Sequence, residues 1–210
     1  MLDYAIHAFA TLFVAIGPID LASLFIALSA KADASSRQRM ALRGVLISTI
    51  VLLIFALGGA YLLKILGIGM PAFRLAGGIL LLLLAIEMVF ARHSGLSGLT
   101  STEDQEAHRK HDVSVFPLAV PLIAGPGAIT SVILLMGEVS GNLPGQLIGL
   151  AMLTLVLLLT LASLLAASRI VKWFGITGVN VITRVSGIVL AALAAQYVLD
   201  GIQESGLSNR

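Results

Sequence analysis

The sequence predicts an all-α membrane protein whose six transmembrane helices form two inverted three-helix repeats. Of its 210 residues, 58% are apolar and 11% are charged, whereas a soluble domain carries about 25% charged residues. Uncharged runs at 45–63 and 147–167 reach the roughly 18 apolar residues that are typical of a membrane span. Sequence motifs also recur between the two halves. The composition excludes a soluble enzyme, a nucleic-acid-binding protein and a disordered chain.

Charged and turn-rich segments divide the chain into six apolar stretches. The first opens at Met1 without a basic segment, so we expect a retained span and not a cleaved signal peptide. Each stretch can form a helix that rises about 1.5 Å per residue across a hydrocarbon core of about 30 Å. The first repeat comprises residues 1–91, with spans at about 4–30, 42–66 and 73–90, and the second comprises residues 115–210, with spans at about 115–139, 146–167 and 183–202.

Basic residues are distributed unevenly between the predicted loops. Ten of the 13 lysines and arginines fall in the loops after spans 1, 3 and 5, and three fall elsewhere. Cytoplasmic loops of membrane proteins are enriched in basic residues. The asymmetry predicts that the three basic loops are cytoplasmic and that both chain termini lie outside.

The segment 92–114 between the repeats is polar, carries charges of both signs and is rich in Gly and Ser, which is typical of a cytoplasmic linker. Its histidines, His93, His108 and His111, have no positioned carboxylate shell, so we predict no metal site. The chain has no cysteine, and its spans contain no HExxH or Gly-x-Ser-x-Gly motif. We therefore expect neither an enzyme nor a protein that needs a cofactor.

Two motifs recur about 108 to 110 residues apart. Gly17-Pro18 in span 1 matches Gly125-Pro126 in span 4, and an Arg-x-x-Gly unit recurs at the start of spans 3 and 6. Because each repeat contains three spans, the second copy must cross the membrane in the opposite direction. Inverted repeats are typical of secondary transporters, in which the substrate site lies near the midplane where the repeats meet.

Each Gly-Pro pair predicts a break in a membrane-spanning helix. Proline lacks a backbone donor and clashes with the carbonyl four residues earlier, but it fits the first turn of a new helix. Half-helices at about 18–30 and 126–136 would place their positive ends near the midplane. The preceding half-helices would present unpaired carbonyls beside them, at Ile16-Gly17 and Ala124-Gly125. Such a site suits a small zwitterion; the alternative is that the prolines only kink the helices for packing. The candidate binding residues are Ile16, Gly17, Pro18, Asp20, Ser23, Ala124, Gly125, Pro126, Gly127, Ala128 and Thr130.

Two acidic residues within the spans are candidate proton carriers. Asp20 lies two residues after Pro18, well inside span 1, and a carboxylate at that depth marks a functional site by default. It could bind a substrate ammonium or take up the coupling proton, and the alternative is that it only caps the broken helix. Glu87, near the end of span 3, is a second proton-coupling candidate, for which snorkelling or pairing with Arg92 is the alternative.

Three segments resemble a known family. Residues 116–129, which read FPLAVPLIAGPGAI, closely resemble the most characteristic segment of the MarC family of bacterial integral membrane proteins. Residues 73–80 and 191–202 also look like that family. The resemblance implies six spans in the bacterial inner membrane and a fold related to that of the LysE-type exporters. In that membrane, the outside termini predicted from the basic loops are periplasmic. Span 1 departs from the family's Asp-Pro and Gly-Asn-x-Pro pattern, because it reads Gly17-Pro18-Ile19-Asp20.

The resemblance also implies a function, because some relatives are transporters of small neutral amino acids such as glycine and alanine. We therefore predict a proton-coupled secondary transporter of such zwitterions that works by alternating access. The alternative is an efflux protein or a channel for other small molecules. The expected partners are the lipid bilayer, a small zwitterionic substrate and a coupling proton, with no nucleic acid, and homo-oligomer formation is left open.

Overall fold

The computed structural model describes residues 1–30, 32–90 and 112–205, and every regular element within these parts is helical. Most of the predicted linker at 92–114, with His93, His108 and His111, lies outside the described residues. The helices are α1 (Leu2–Ile16), α2 (Pro18–Leu28), α3 (Ala34–Ile65), α4 (Met70–Phe90), α5 (Ser114–Ile123), α6 (Pro126–Glu138), α7 (Leu143–Leu165) and α8 (Ala167–Glu204).

Five helical stretches are long and apolar enough to cross a membrane. They are Leu2–Leu28, which combines α1 and α2, then α3, α4, α7 and the Thr177–Glu204 part of α8. The pair α5 and α6, bent by 53° at the break between them, supplies a sixth if the two are counted as one span. Large apolar side chains such as Ile54 (62% exposed) and Leu158 (58% exposed) face outward and need a lipid environment. The prediction of an all-helical, multi-pass membrane protein is confirmed.

The second span begins earlier than predicted. The sequence places its start at about residue 42, but α3 begins at Ala34 because Asp33 caps it. The Asp33 carboxylate accepts hydrogen bonds from the backbone N–H groups of Ser35 (3.2 Å) and Ser36 (3.4 Å). Side-chain hydrogen bonds from Ser35 and then from Ser36, with smaller contributions from these backbone bonds, hold the pKa of Asp33 well below its usual range. Hydropathy detects only the part of a helix that crosses lipid, so it misses the polar first turns that a capping residue starts.

The last span also differs from its prediction. We expected its helix to start at about residue 183, whereas α8 runs from Ala167 to Glu204 and departs from helical geometry at Gly175 (φ 63°, ψ 174°). That backbone conformation is open essentially to glycine alone. The chain changes direction there, and the part of α8 that is long and apolar enough to cross the membrane starts at Thr177.

The segment α5 is not a regular helix. Phe116 (φ −131°, ψ 125°) and Val120 (φ −133°, ψ 123°) have extended backbones within it. Each directly precedes a proline, and proline disfavours helical geometry in the residue before it. The expected regular half-helix before Gly125 is therefore replaced by a segment that is interrupted by extended backbone at two residues, Phe116 and Val120.

Two apolar clusters hold the bundle together. One joins α1, α2, α3, α6 and α7 through buried side chains that include Phe25 and Leu52. The other joins α4, α6 and α8 and includes Leu81 and Leu190. Within the second cluster the backbones of α4 and α8 touch at Gly78, because a Cβ atom added there would lie 2.8 Å from the carbonyl oxygen of Ala194. Small residues allow such close approach between membrane helices.

This close approach makes Gly78 sensitive to a single methyl group. We expect Gly78→Ala to lower the free energy of unfolding by about 2 kcal/mol, because a backbone carbonyl cannot move aside as a side chain can. The thermal stability of the purified protein in detergent measures the effect. Gly58→Ala in α3 is the matched control, since a Cβ atom at Gly58 meets no atom within 4 Å. Equal stability of the two variants would contradict the contact.

Candidate functional site

A cavity of about 80 Å³ lies between the break in the first span and the break in the fourth. The α1–α2 junction forms one side, the α5–α6 junction forms another, and α4 completes the wall. A water molecule needs about 10–15 Å³ of such space, so the cavity can hold several waters or a small solute. Its lining residues are Val14, Ala15, Ile16, Gly17, Asp20, Leu21, Leu24, Leu84, Met88, Pro121, Leu122, Gly125, Gly127 and Ala128.

Gly17 separates α1 from α2 with a left-handed backbone (φ 63°, ψ 59°), which glycine adopts without a steric penalty. Its N–H donates to the carbonyl of Phe13 (3.0 Å) and closes α1, while its carbonyl accepts from the N–H of Leu21 (3.0 Å) and opens α2. Pro18 has no N–H, so it cannot donate to the carbonyl of Val14 four residues earlier. The carbonyl of Val14, a residue that lines the cavity, therefore has no donor from the next turn of the helix.

The second junction repeats this arrangement. Gly125 is the N-cap of α6, with an extended backbone (φ −84°, ψ 175°), and Pro126 occupies the first turn. Pro126 cannot donate to the carbonyl of Leu122, just as Pro18 cannot donate to that of Val14. The N–H groups of Gly127 and Ala128 belong to the first helical turn, where the helix itself provides no acceptor. Leu122, Gly127 and Ala128 all line the cavity.

Among the described residues that line the cavity, Asp20 is the one with a charged side chain. It lies in the first turn of α2, where the helix dipole favours a negative charge. Its Oδ2 atom is 3.5 Å from the position that a Cβ atom at Gly17 would take. Its Oδ1 atom accepts a hydrogen bond from the hydroxyl of Thr183 in α8, and the same hydroxyl oxygen lies 3.0 Å from the carbonyl oxygen of Val179. Asp20 thus connects the cavity to α8.

The predicted binding residues separate into three groups. Pro18 lines a smaller adjoining cavity together with Ile182 and Ser186 of α8. Six of the predicted residues line the central cavity, namely Ile16, Gly17, Asp20, Gly125, Gly127 and Ala128. Four line neither cavity, namely Ser23, Ala124, Pro126 and Thr130. Thr130 is instead buried on the α4 side of α6, with its methyl group 2.6 Å from the position of a Cβ atom at Gly77.

The proton-coupling candidates also differ in position. Asp20 lines the cavity, whereas half-buried Glu87 does not, although its helical neighbours Leu84 and Met88 do. Leu84 and Met88 could not be predicted from the sequence, because apolar side chains four apart occur in any lipid-crossing helix. Thr183 was not predicted either, although a hydroxyl inside a predicted span was an available signal.

A second polar cluster joins α1, α6 and α8 away from the cavity. His7 Nε2 lies 3.1 Å from the Tyr197 hydroxyl and 3.7 Å from Glu138 Oε1. The Tyr4 hydroxyl donates to the carbonyl of Leu135 (2.9 Å). Nowhere in residues 1–30, 32–90 and 112–205 do three His, Cys, Asp or Glu side chains gather as a metal site would require. The contacts of this cluster connect the ends of three helices.

Similarity to known proteins identifies the family. The model of the MarC family integral membrane proteins matches residues 2–205. The chain belongs to the MarC family. The resemblance of the segment at 116–129 to that family is thereby confirmed, and this segment supplies Pro121, Leu122, Gly125, Gly127 and Ala128 to the cavity.

This MarC family protein is similar over nearly its whole length to curated membrane proteins. It is 36% identical over 202 residues to UPF0056 membrane protein MJ1677 of Methanocaldococcus jannaschii, covering 96% of this chain and 97% of the relative. It is 32% identical over 205 residues to UPF0056 membrane protein YvbG of Bacillus subtilis, covering 97% and 96%. It is 32% identical over 201 residues to a UPF0056 membrane protein of Aquifex aeolicus, covering 94% and 92%. No solved structure matches the chain.

Proposed function

We propose that this MarC family protein is a secondary transporter that moves small neutral amino acids, such as glycine and alanine, by alternating access with proton coupling. The observation that carries the proposal is the cavity of about 80 Å³ that Gly17, Asp20 and Gly125 line together. Secondary transporters bind their substrates at interrupted helices, where backbone groups without helical partners are available to a ligand.

The chemistry of the lining suits a zwitterion. The first-turn N–H groups of Gly127 and Ala128, at the positive end of α6, would donate hydrogen bonds to a substrate carboxylate. The Asp20 carboxylate, with the carbonyl of Val14 that lacks a helical donor, would accept hydrogen bonds from a substrate ammonium. The remaining wall is mostly apolar and the cavity is small, which favours a substrate with a short side chain.

The two junctions define the centre of the proposed inverted repeat, which relates residues 1–91 to residues 115–210. In each proposed repeat a Gly-Pro pair lies between two consecutive helices, and the residue whose carbonyl loses its donor to proline lines the cavity. We place both termini on the periplasmic side of a bacterial inner membrane and the basic loops in the cytoplasm. Movement of one repeat against the other would open the cavity to each side in turn.

Asp20 is our proposed proton carrier. A carboxylate that lines the cavity can exchange a proton with the compartment to which the cavity is open, and the Thr183 hydroxyl binds the same carboxylate from α8. A change in the charge of Asp20 would therefore alter its interaction with the substrate and its hydrogen bond to α8 of the second repeat. Glu87 does not line the cavity, which favours Asp20 as the carrier.

Uptake into proteoliposomes tests the proposal. We expect labelled glycine and alanine to accumulate when an inward proton gradient is imposed, and we expect accumulation to stop when an ionophore dissipates the gradient. Exchange of labelled against unlabelled glycine should continue without the gradient, since a carrier exchanges its substrate at equilibrium. Absence of both accumulation and exchange for these amino acids would reject the proposed substrate class.

The alternative is an efflux protein or a channel for other small molecules, and the mostly apolar wall of the cavity favours it. Gly127→Ala distinguishes the amino-acid carrier from this alternative, because a Cβ atom at Gly127 would lie 2.6 Å from Leu84 Cδ2 at the edge of the cavity. For an amino-acid carrier we expect KM to rise roughly tenfold for alanine and less for glycine, since one methyl group is discriminated to about that extent in a close-fitting site. Gly58→Ala is the control, and an apolar channel should show no such difference between the two amino acids.

A further inference from the structure

A second cavity, of about 330 Å³, lies at the end of the bundle where α3 begins and α7 ends. It shares no lining residue with the central cavity. Its polar lining residues are Arg37, Gln38 and Ser168, and its apolar ones are Phe25, Leu164 and Leu165, with Ala34 between them.

The Arg37 guanidinium is the main polar feature of this cavity. Its Nη2 donates to the carbonyls of Ser29 and Ala32, each at 3.2 Å. Its Nε atom is buried and has no hydrogen-bond partner among the described residues. Within the part of the chain that the structure describes, no carboxylate lies within ion-pair distance of Arg37. The half-buried guanidinium therefore lines the cavity without a counterion, which favours an anionic ligand there.

The anion would bind to the Arg37 side chain and not to the N-terminus of α3. Asp33 already occupies that helix end, with its carboxylate bound by Ser35 and Ser36. The same hydrogen bonds hold the pKa of Asp33 well below its usual range, so this carboxylate stays ionised. The donors that remain for a ligand are the Arg37 guanidinium, the Gln38 amide and the Ser168 hydroxyl, which all line the cavity.

The apolar half of the cavity indicates what carries the anion. Leu164 is buried, whereas Leu165 is 47% exposed on the surface of a membrane-spanning helix. The cavity therefore continues from a cationic end into the lipid-facing surface of α7. Three further basic residues follow in the first two turns of α3 and α8, which would attract a negatively charged membrane surface. They are Arg39, Arg169 and Lys172.

We propose that this cavity binds one anionic phospholipid, with its phosphate on Arg37, Gln38 and Ser168 and an acyl chain along Leu164 and Leu165. A guanidinium group binds phosphate through charge-assisted hydrogen bonds. The site is independent of the proposed transport activity, because no residue of the central cavity takes part.

Native mass spectrometry of the full chain, titrated with dioleoylphosphatidylglycerol, tests this site. We expect the first lipid to bind about tenfold more weakly to Arg37→Gln than to the parent protein, which is the effect expected for loss of a hydrogen-bonded charge. The matched control is Arg39→Gln, which removes the same charge two residues away. Arg39 is exposed, donates to Ser36 Oγ (3.1 Å) and does not line the cavity. Equal weakening in both variants would overturn the proposal.

Arg37→Gln also removes the hydrogen bonds to the carbonyls of Ser29 and Ala32. A second variant therefore distinguishes the loss of a lipid contact from a folding defect. Ser168→Phe fills the polar end of the cavity from an exposed position and leaves those bonds in place. We expect it to weaken phosphatidylglycerol binding to a similar extent. Dioleoylphosphatidylcholine should bind poorly to all variants, and sn-glycerol 3-phosphate should not displace the lipid. Displacement by the soluble phosphate ester, or unchanged binding in Ser168→Phe, would overturn the lipid assignment.

Discussion

Asp20→Asn is expected to reduce proton-driven uptake of glycine by roughly a hundredfold, which is the upper effect of removing a hydrogen bond to a charged group. Asparagine keeps the size of the side chain and can still bond to Thr183, but it carries no negative charge and releases no proton. The variant thus removes the charge from the cavity with little change in shape. The measurement is initial uptake of labelled glycine into proteoliposomes under an inward proton gradient.

Exchange without a gradient separates the two roles proposed for Asp20. If the carboxylate carries only the proton, exchange of glycine persists in Asp20→Asn, and if it also binds the substrate ammonium, exchange is lost as well. Asp200→Asn is the matched control, because Asp200 lies outside the cavity and accepts a hydrogen bond from Gln196 (2.7 Å). Gradient-driven uptake that survives in Asp20→Asn but fails in Glu87→Gln would assign the proton to Glu87 and refute our choice.

Gly125→Ala is expected to destabilise the protein more than any other single methyl group considered above. A Cβ atom at Gly125 would lie 2.4 Å from the carbonyl oxygen of Pro121, which is backbone. The φ of −84° is accessible to alanine, so the cost comes from the contact and not from backbone conformation. We expect a loss of about 3 kcal/mol, at the upper end of the cost of overpacking.

A lower melting temperature in detergent, and the loss of glycine exchange in proteoliposomes, would report this change. About 3 kcal/mol corresponds to a decrease of roughly 6–12 °C for a chain of this size. Gly58→Ala again provides the control, because a Cβ atom at Gly58 meets open space. A Gly125→Ala variant as stable as the control would show that Pro121 and Gly125 are not in contact.

The class of the fold and part of the candidate site could be predicted because each depends on local chemistry. Composition and long apolar runs are sufficient to indicate membrane helices. Proline removes a known donor from a known position, so the places of the two breaks can be identified from Pro18 and Pro126 alone. The prediction of unpaired carbonyls at Gly17 and Gly125 was wrong, because these carbonyls accept from the N–H groups of Leu21 and Ile129.

Other features depend on neighbours that are distant in sequence. The contribution of Leu84 and Met88 to the cavity, and the bond between Asp20 and Thr183, arise from the packing of α4 and α8. The sequence does not indicate which helices meet at these contacts. The helix α3 starts before the predicted span for a different reason, because the Asp33 cap lies outside the apolar run that hydropathy detects.

Thr183 has one hydroxyl hydrogen and two neighbouring acceptors, the Asp20 carboxylate and the Val179 carbonyl. A hydroxyl donates one hydrogen bond at a time but can accept others. When Asp20 is ionised, Thr183 gives its hydrogen to the carboxylate. When Asp20 is protonated, it becomes the donor to Thr183, which is then able to turn its own hydrogen toward Val179. Protonation of Asp20 would thus reverse the donor and acceptor roles in the hydrogen bond that links α2 to α8 and would turn the Thr183 hydroxyl toward the main chain of α8. Replacement of Thr183 by valine would remove both hydrogen bonds.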